Sequence, residues 1–128
     1  MLNRDGISKT TYGAPRQILA NVDLQSSVGC IVPQTLGVAV GAKKIAKAGT
    51  PIKVDLMNRQ NAVAKADGTT AMNAVLLHDV DVTAGNANGT ALVFGFVNLN
   101  RVEADVVTLI TTATGNANAS SLLVFMKT

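Results

Sequence analysis

Three side chains that could do chemistry together stand close to one another in the sequence: His78, Asp79 and Asp81. Side chains alternate between the two faces of a strand, so His78 is expected to point away from both aspartates. Asp79 and Asp81 share a face and could bind a hard cation if Asp55 or Asp67 approached them. No loop of EF-hand spacing occurs in the chain. The favoured interpretation is a solvated strand end, and we predict no metal site.

A nucleophilic site has equally little support. The chain has one cysteine, Cys30, and one histidine, His78. A single cysteine excludes a disulfide within the chain and suits a reducing compartment during synthesis. Neither residue has a partner at a diagnostic spacing, and no G-x-S-x-G or P-loop motif occurs. We interpret Cys30 as a small buried hydrophobe and His78 as a core histidine bonded to backbone. The sequence therefore predicts no enzyme, no cofactor and no small-molecule substrate.

The most apolar part of the chain must position these residues. It consists of two runs, Ala74–Thr83 and Thr90–Leu99, joined by Ala84–Gly89, whose residues tolerate positive φ. This pattern predicts a β-hairpin with a longer turn, forming the core. The return run is apolar on both faces, which predicts a central strand, and Gly95 within it indicates a bulge or a close backbone approach.

Shorter elements precede the hairpin. The β-type runs are Val28–Val32, Leu36–Val40, Ile52–Leu56 and Ala62–Ala66. Asn58–Asn61 is predicted to be a turn, as is Asp67–Thr70, in which the aspartate can bond its own backbone. Three lysines within Gly41–Gly49 lack the spacing of a phosphate-binding loop, and we interpret them as a solvated turn or an edge strand protected by its charges.

The C-terminal part of the chain carries one helix signal. Asn100–Glu103 matches a capping box and predicts a short helix over Arg101–Thr112, although many β-branched residues there favour a strand. Ser121–Met126 is predicted to be the last strand. The sequence Gly-Asn-Ala-Asn occurs at 85–88 and again at 115–118. Two interpretations are open: a duplicated hairpin, or the same turn chemistry used twice. The predicted fold class is mainly β, like a sandwich or barrel, with one short helix near 101–112.

Composition narrows the classes of partner. A length of 128 residues fits one domain, and with only 3% aromatic residues the core must be aliphatic. Few aromatics also argue against stacking of single-stranded nucleic acid. No apolar run approaches the ~18 residues of a membrane helix, and the first residues lack the apolar segment of a signal peptide. Residues 1–65 hold nine Lys/Arg against three Asp, and residues 66–128 hold two against five acids. This asymmetry favours docking to a partner, or reflects solvated charges alone.

Residues 1–28 differ from the rest of the chain. They show no sustained period, and Gly6, Gly13 and Pro15 interrupt them. We expect an extended N-terminal arm over 1–28, followed by a β-rich domain over 29–128. The arm holds too many apolar residues for a solvating tail, so we expect it to lie on another surface. A disordered terminus is the alternative.

Three motifs in a fixed order identify a resemblance. They are AGTPIKVD at Ala48–Asp55, ADGTT at Ala66–Thr70 and AVLLHDVDVT at Ala74–Thr83. Together they resemble the tailed-phage head decoration proteins, which are the lambda-type capsid-stabilising proteins and the related head-fibre bases. Val97–Val102 is similar to the stretch that leads into that family's helix. Met72-Asn73-Ala74 departs from the pattern, in which Ala and Gly are usual.

The resemblance implies a non-enzymatic β-rich module of the virion. Such proteins are commonly homotrimers at three-fold or quasi-three-fold sites on the outer surface of the expanded capsid. They clamp neighbouring major capsid proteins, often through an N-terminal arm. The resemblance therefore implies no nucleic-acid or membrane partner. The alternatives are a head-fibre or tail-associated virion protein anchoring an outer adhesin, and a basic nucleic-acid-binding module. The motifs do not extend into the arm, for which the residues themselves suggest capsid contacts through Arg4, Ile7, Lys9, Tyr12, Arg16, Ile18 and Leu19.

Overall fold

The computed structural model of the chain describes residues 17–21, 25–120 and 122–127. These ranges contain nine strands, one α-helix and two 3-10 turns, so the predicted mainly β class with one helix is confirmed. No helix among them is both long and apolar enough to cross a membrane. The elements are β1 (Ser26–Val32), β2 (Val38–Val40), β3 (Lys43–Ala46), β4 (Pro51–Lys53), β5 (Ala64–Lys65), β6 (Ala74–Leu76), β7 (Val80–Asp81), β8 (Ala87–Asn98), α1 (Ala104–Thr114) and β9 (Leu123–Met126), with the 3-10 turns at Gln34–Leu36 and Leu99–Arg101.

The larger sheet is built around β8. Its strand order is β1-β8-β6-β4-β5, and β9 also pairs with β8 as the one parallel neighbour in the described ranges. The apolar residues on both faces of β8 suit an inner strand, and Ala91, Leu92 and Val97 are fully buried. The prediction of a central strand is therefore confirmed.

The ends of the larger sheet meet. Ile31 of β1 forms a parallel bridge with Ala62, and the Val63 N–H donates to the Ile31 carbonyl at 2.9 Å. The sheet packs against an aliphatic core that includes Val32, Ile52 and Leu76, each with no exposed surface. Burying aliphatic side chains of this size supplies most of the stabilisation of such a fold.

The predicted hairpin is half correct. β6 pairs with β8, Val75 opposite Leu92, but the strand ends at Leu76. β7 belongs to a second antiparallel sheet of order β2-β3-β7. The chain changes sheets at His78-Asp79, where the Asp79 carboxylate accepts the Ala48 N–H at 2.7 Å. That long-range bond stabilises the bend between the two sheets. The predicted single strand Ala74–Thr83 is therefore two strands, β6 and β7.

The helix is confirmed, but its predicted start is wrong. α1 begins at Ala104, and the N-cap residue Glu103 makes no side-chain cap bond. Asn98 instead caps the preceding 3-10 turn by accepting the Asn100 N–H at 3.0 Å. Several threonines of α1 hydrogen-bond the carbonyl four residues earlier, as Thr108 does to Ala104, which accommodates β-branched residues within the helix.

Two further predictions are decided by pairing. β3, which carries Lys43 and Lys44, is the inner strand of its sheet, so the interpretation of the lysines as edge protection is wrong. The first Gly-Asn-Ala-Asn leads into β8 with Gly85 at φ 144°, whereas the second follows α1 with Gly115 at φ −72°. The Asn86 side chain accepts the distant Gln34 N–H and that of Asn116 the nearby Asn118 N–H, so the repeat is neither a duplicated hairpin nor one turn chemistry used twice.

Gly95 lies next to a β-bulge, as predicted. Between Ser26 and Ser27 the pairing partners on β8 change from Phe94 to Leu92, which leaves Val93 as the extra residue. A Cβ atom at Gly95 would lie 3.3 Å from side-chain atoms of both Gln25 and Leu92. The glycine therefore permits the close approach.

Candidate functional site

The last residues assigned to the N-terminal arm belong to the folded domain. Ile18 has no exposed surface and Leu19 is 6% exposed. The Asn98 N–H donates to the Ile18 carbonyl, and the Ala20 N–H donates to the Phe96 carbonyl, both at 2.8 Å. Residues 17–21 thus run antiparallel to the second half of β8. The prediction that Ile18 and Leu19 are capsid anchors is wrong, because both fill the core.

That core also contains the buried face of α1. Val106, Ile110 and Ala113 belong to the same apolar cluster as Ile18 and Val97. β1 begins at Ser26, so the folded domain starts earlier in the sequence than the predicted residue 29. The remaining predicted contacts lie outside the described residues, and for them the arm stays a prediction: Arg4, Ile7, Lys9, Tyr12 and Arg16.

The His78-Asp79-Asp81 group is dispersed. Asp79 holds the Ala48 N–H, while Asp81 accepts the Thr83 N–H at 2.9 Å. Hydrogen bonds from the Thr83 hydroxyl and backbone lower the pKa of Asp81. His78 Nδ1 is buried without a hydrogen-bond partner, so the expected bond to backbone is absent at that atom. In the part of the chain that the structure describes, no three His, Cys, Asp or Glu residues are placed to hold a metal ion.

The other aspartates of the motifs organise turns. Asp67 Oδ1 accepts the N–H groups of Thr69 and Thr70 at 2.7 and 2.8 Å, as predicted from the sequence. The Thr70 and Thr69 bonds lower the pKa of Asp67. Asp55 accepts the Asn61 side-chain amide at 3.0 Å and the Met57 N–H at 3.1 Å. These hydrogen bonds fix the shapes of the two loops, and the Asn61 bond is the main cause of the lowered pKa of Asp55.

One ion-pair cluster was not anticipated from the sequence. Lys47 Nζ lies 3.0 Å from the Asp105 carboxylate and 3.2 Å from that of Glu103. The hydrogen bond to Asp105 is the main cause of the raised pKa of Lys47, and the same bond lowers the pKa of Asp105. The cluster joins the end of β3 to the first turn of α1. The acidic residues at that helix start were the available signal.

Cys30 is buried, as the sequence predicted. It is 5% exposed, and desolvation raises the pKa of its thiol. A thiol kept in its protonated form is a poor nucleophile.

The exposed apolar side chains lie in three places. Val38 and Val40 lie on β2, at the open side of the smaller sheet. Leu122 and Val124 lie at β9. The largest single exposure is in the 55–61 loop (residues 55–61), where Met57 is 95% exposed and Leu56 52% exposed. An open cleft of about 730 Å³ lies between this loop and β1. Sequence reasoning identified only the turn at 58–61.

No protein-family model matches the chain, and no curated protein matches it.

Proposed function

We propose that this chain is a viral capsid decoration protein. It binds the outer surface of the expanded head at three-fold or quasi-three-fold sites and clamps neighbouring major capsid proteins. The observation that carries the proposal is the position of the segment with the decoration-protein motifs, Ala48–Val102. It supplies β4 to β8, including the central strand, so the resemblance coincides with the framework of the fold.

The polar side chains of the motifs support a structural role over a catalytic one. Asp55, Asp67 and Asp81 each accept backbone N–H groups from residues two or three positions later, and Asp79 joins two distant loops. Such bonds fix loop shape and present a rigid surface to a partner. A decoration protein needs this rigidity, because its benefit to the shell comes from resisting movement between subunits.

The arm of the proposal is now residues 1–16. It precedes Gln17 and the buried Ile18, whose carbonyl accepts the Asn98 N–H and so fixes the chain beside β8. Sixteen residues of fully extended chain span about 55 Å. Arg4, Ile7, Lys9, Tyr12 and Arg16 are the proposed contacts. Ordering such an arm costs entropy, which a homotrimer offsets through multivalency.

Ion pairs within the lysine cluster of residues 43–47 argue against that cluster as a nucleic-acid-binding surface. Of the three clustered lysines, Lys47 is paired with two carboxylates and Lys43 lies 4.0 Å from Asp81. A phosphate-binding surface needs cations whose charge is available to the ligand.

The experiment adds purified protein to undecorated, expanded heads of the phage that encodes it. Bound copies are counted by quantitative gel densitometry. Heat resistance of DNA-filled heads is measured by the fluorescence of a DNA-binding dye, which rises when a disrupted head releases its DNA. We expect saturation at one copy per three-fold-related shell subunit and a higher disruption temperature. A few copies per particle would favour the head-fibre alternative, and no binding would refute the proposal.

A matched pair of truncations tests the arm. Deletion of residues 1–16 should weaken binding and leave the domain folded. Deletion of residues 1–20 should also unfold or destabilise the domain, since it removes Ile18 and Leu19 from the core. Full head binding by the protein that lacks residues 1–16 would remove the arm from the mechanism.

A further inference from the structure

The cleft beside the 55–61 loop has the features of a peptide-binding groove. One wall is β1 at Gly29, Cys30 and Ile31, and the other is residues 56–60. Asn88 and Gly89, from the start of β8, complete it. A volume of about 730 Å³ is large enough for several residues of an extended peptide.

The edge of β1 at Gly29 faces this cleft, and none of the described residues pairs with it there. β1 pairs with β8 on one side, and on its other side the Ile31 carbonyl accepts the Val63 N–H. Main-chain groups of alternate residues point to the same side of a strand, so the Gly29 N–H and C=O also point away from β8. The bridge to Ala62 stops at Ile31, and no backbone bond from the described loops reaches Gly29. Gly29 is exposed, and a Cβ atom there would meet nothing within 4 Å, so the strand is open to solvent at this position.

The opposite wall is held in place before any partner arrives. Asp55 accepts hydrogen bonds from the Met57 and Asn58 N–H groups and from the Asn61 side chain, at 3.0 to 3.2 Å. The Asn61 N–H closes a further turn on the Asn58 carbonyl at 3.1 Å. The loop therefore presents Met57, which is 95% exposed, on a backbone already fixed by these hydrogen bonds, which lowers the cost of ordering the loop on binding. Exposed apolar side chains on a fixed loop are typical of binding hot spots.

The charge of the cleft selects the occupant. Arg59 is the charged residue among those lining it. An extended segment with a carboxylate opposite Arg59 is therefore favoured. The chain's own residues 1–16 carry Arg4, Lys9 and Arg16 against Asp5, so they have the same sign as the cleft. Charge complementarity disfavours that leader as the occupant and favours an acidic segment of another protein.

We propose that this cleft accepts an extended, acidic segment of the major capsid protein as an added strand beside β1. The assignment rests on the proposed function and names the contact surface. The incoming backbone pairs with the Gly29 N–H and C=O, an apolar side chain packs on Met57 and Leu56, and a carboxylate pairs with Arg59. This mode combines main-chain hydrogen bonds with side-chain pockets, as in other strand additions.

Two matched pairs of variants test the site on expanded, undecorated heads. Gly29→Pro removes the outward N–H, which β8 does not use, while Gly29→Ala keeps it and has space for its Cβ. Met57→Asp places a charge in the apolar contact, and Val40→Asp does the same on the distant exposed strand β2. We expect Gly29→Pro and Met57→Asp each to weaken binding about tenfold, with the two controls unchanged. Arg59→Glu should weaken binding most at low salt.

A photo-cross-linker at position 57 identifies the occupant directly. The expected product joins position 57 to an acidic segment of the major capsid protein. A cross-link to a second copy of this chain, or to its residues 1–16, would overturn the assignment. Thermal melting of each free variant shows whether it is folded, and Met57, being exposed, has no part in the core.

The outcomes separate the two proposals. Failure of the wild-type protein to bind heads would refute the decoration function and the capsid-derived occupant with it. Wild-type binding that Gly29→Pro, Met57→Asp and Arg59→Glu all leave unchanged would refute the cleft alone.

Discussion

Substitution of Ile18 distinguishes a core residue from an arm residue. Ile18 has no exposed surface and lies in the cluster formed by α1, β8 and β9. Ile18→Ala removes three buried carbons and leaves a cavity, which in well-packed cores costs about 2–5 kcal/mol. For a domain of this size each kcal/mol corresponds to about 4 °C in Tm, so we expect a Tm lower by about 8–20 °C.

The assays are thermal and urea denaturation of the free protein, each followed by circular dichroism, which give the Tm and the free energy of unfolding. Ile18→Val, which removes one carbon, should cost about 1 kcal/mol and calibrates the site. Deletion of residues 1–16 is the second reference, and it should leave the free energy of unfolding within about 0.5 kcal/mol of the full-length value.

The opposite result would restore the original interpretation. If Ile18→Ala left stability unchanged and weakened head binding alone, Ile18 would be a capsid anchor and the packing against α1 would be refuted. A large loss of stability together with unchanged binding of the folded fraction would confirm its place in the core.

Three further predictions follow from the contacts. The pKa of Asp67 is lowered in the folded state, so its contribution to stability is present above the ordinary aspartate pKa and is lost as pH falls through the folded value. Asp67→Asn should therefore flatten this part of a curve of unfolding free energy measured from pH 7 to pH 2. An unchanged curve would contradict the stabilising role of the Asp67 turn. Lys47→Met should cost about 1 kcal/mol and make stability less sensitive to salt, because Asp105 loses its partner; equal salt dependence in both proteins would argue against the cluster. Gly89→Ala should lower Tm, since its Cβ would lie 2.8 Å from Val32, whereas Gly29→Ala, with an open surrounding, should not.

Local interactions made part of this fold predictable. In the turn at Asp67–Thr70 the aspartate side chain bonds backbone N–H groups two and three residues later. All the groups that form this turn therefore lie within four consecutive residues of the sequence. The central strand β8 is apolar on both faces, which local pattern alone indicates. The helix after it was predicted from the capping-box pattern at Asn100–Glu103, although Glu103 makes no side-chain cap bond. Each of these predictions depended on residues within one turn or one strand of each other.

The predictions that failed concern partners distant in sequence. Strand periodicity continued through His78-Asp79, and only the bond from Asp79 to Ala48 shows that the chain changes sheets there. Likewise, nothing near Ile18 in the sequence indicates that β8 supplies its hydrogen-bond partners.

By itself, the sequence determined the mainly β class, the aliphatic core, the inner position of β8 and the aspartate turns, because pattern and turn chemistry act over a few residues. The tertiary structure alone decided that Ile18 and Leu19 belong to the core, which acids pair with Lys47, and that β1 and the 55–61 loop face each other across a cleft. Those features arise where segments far apart in the chain meet. Their partners are selected by packing of the whole domain, which no local pattern records.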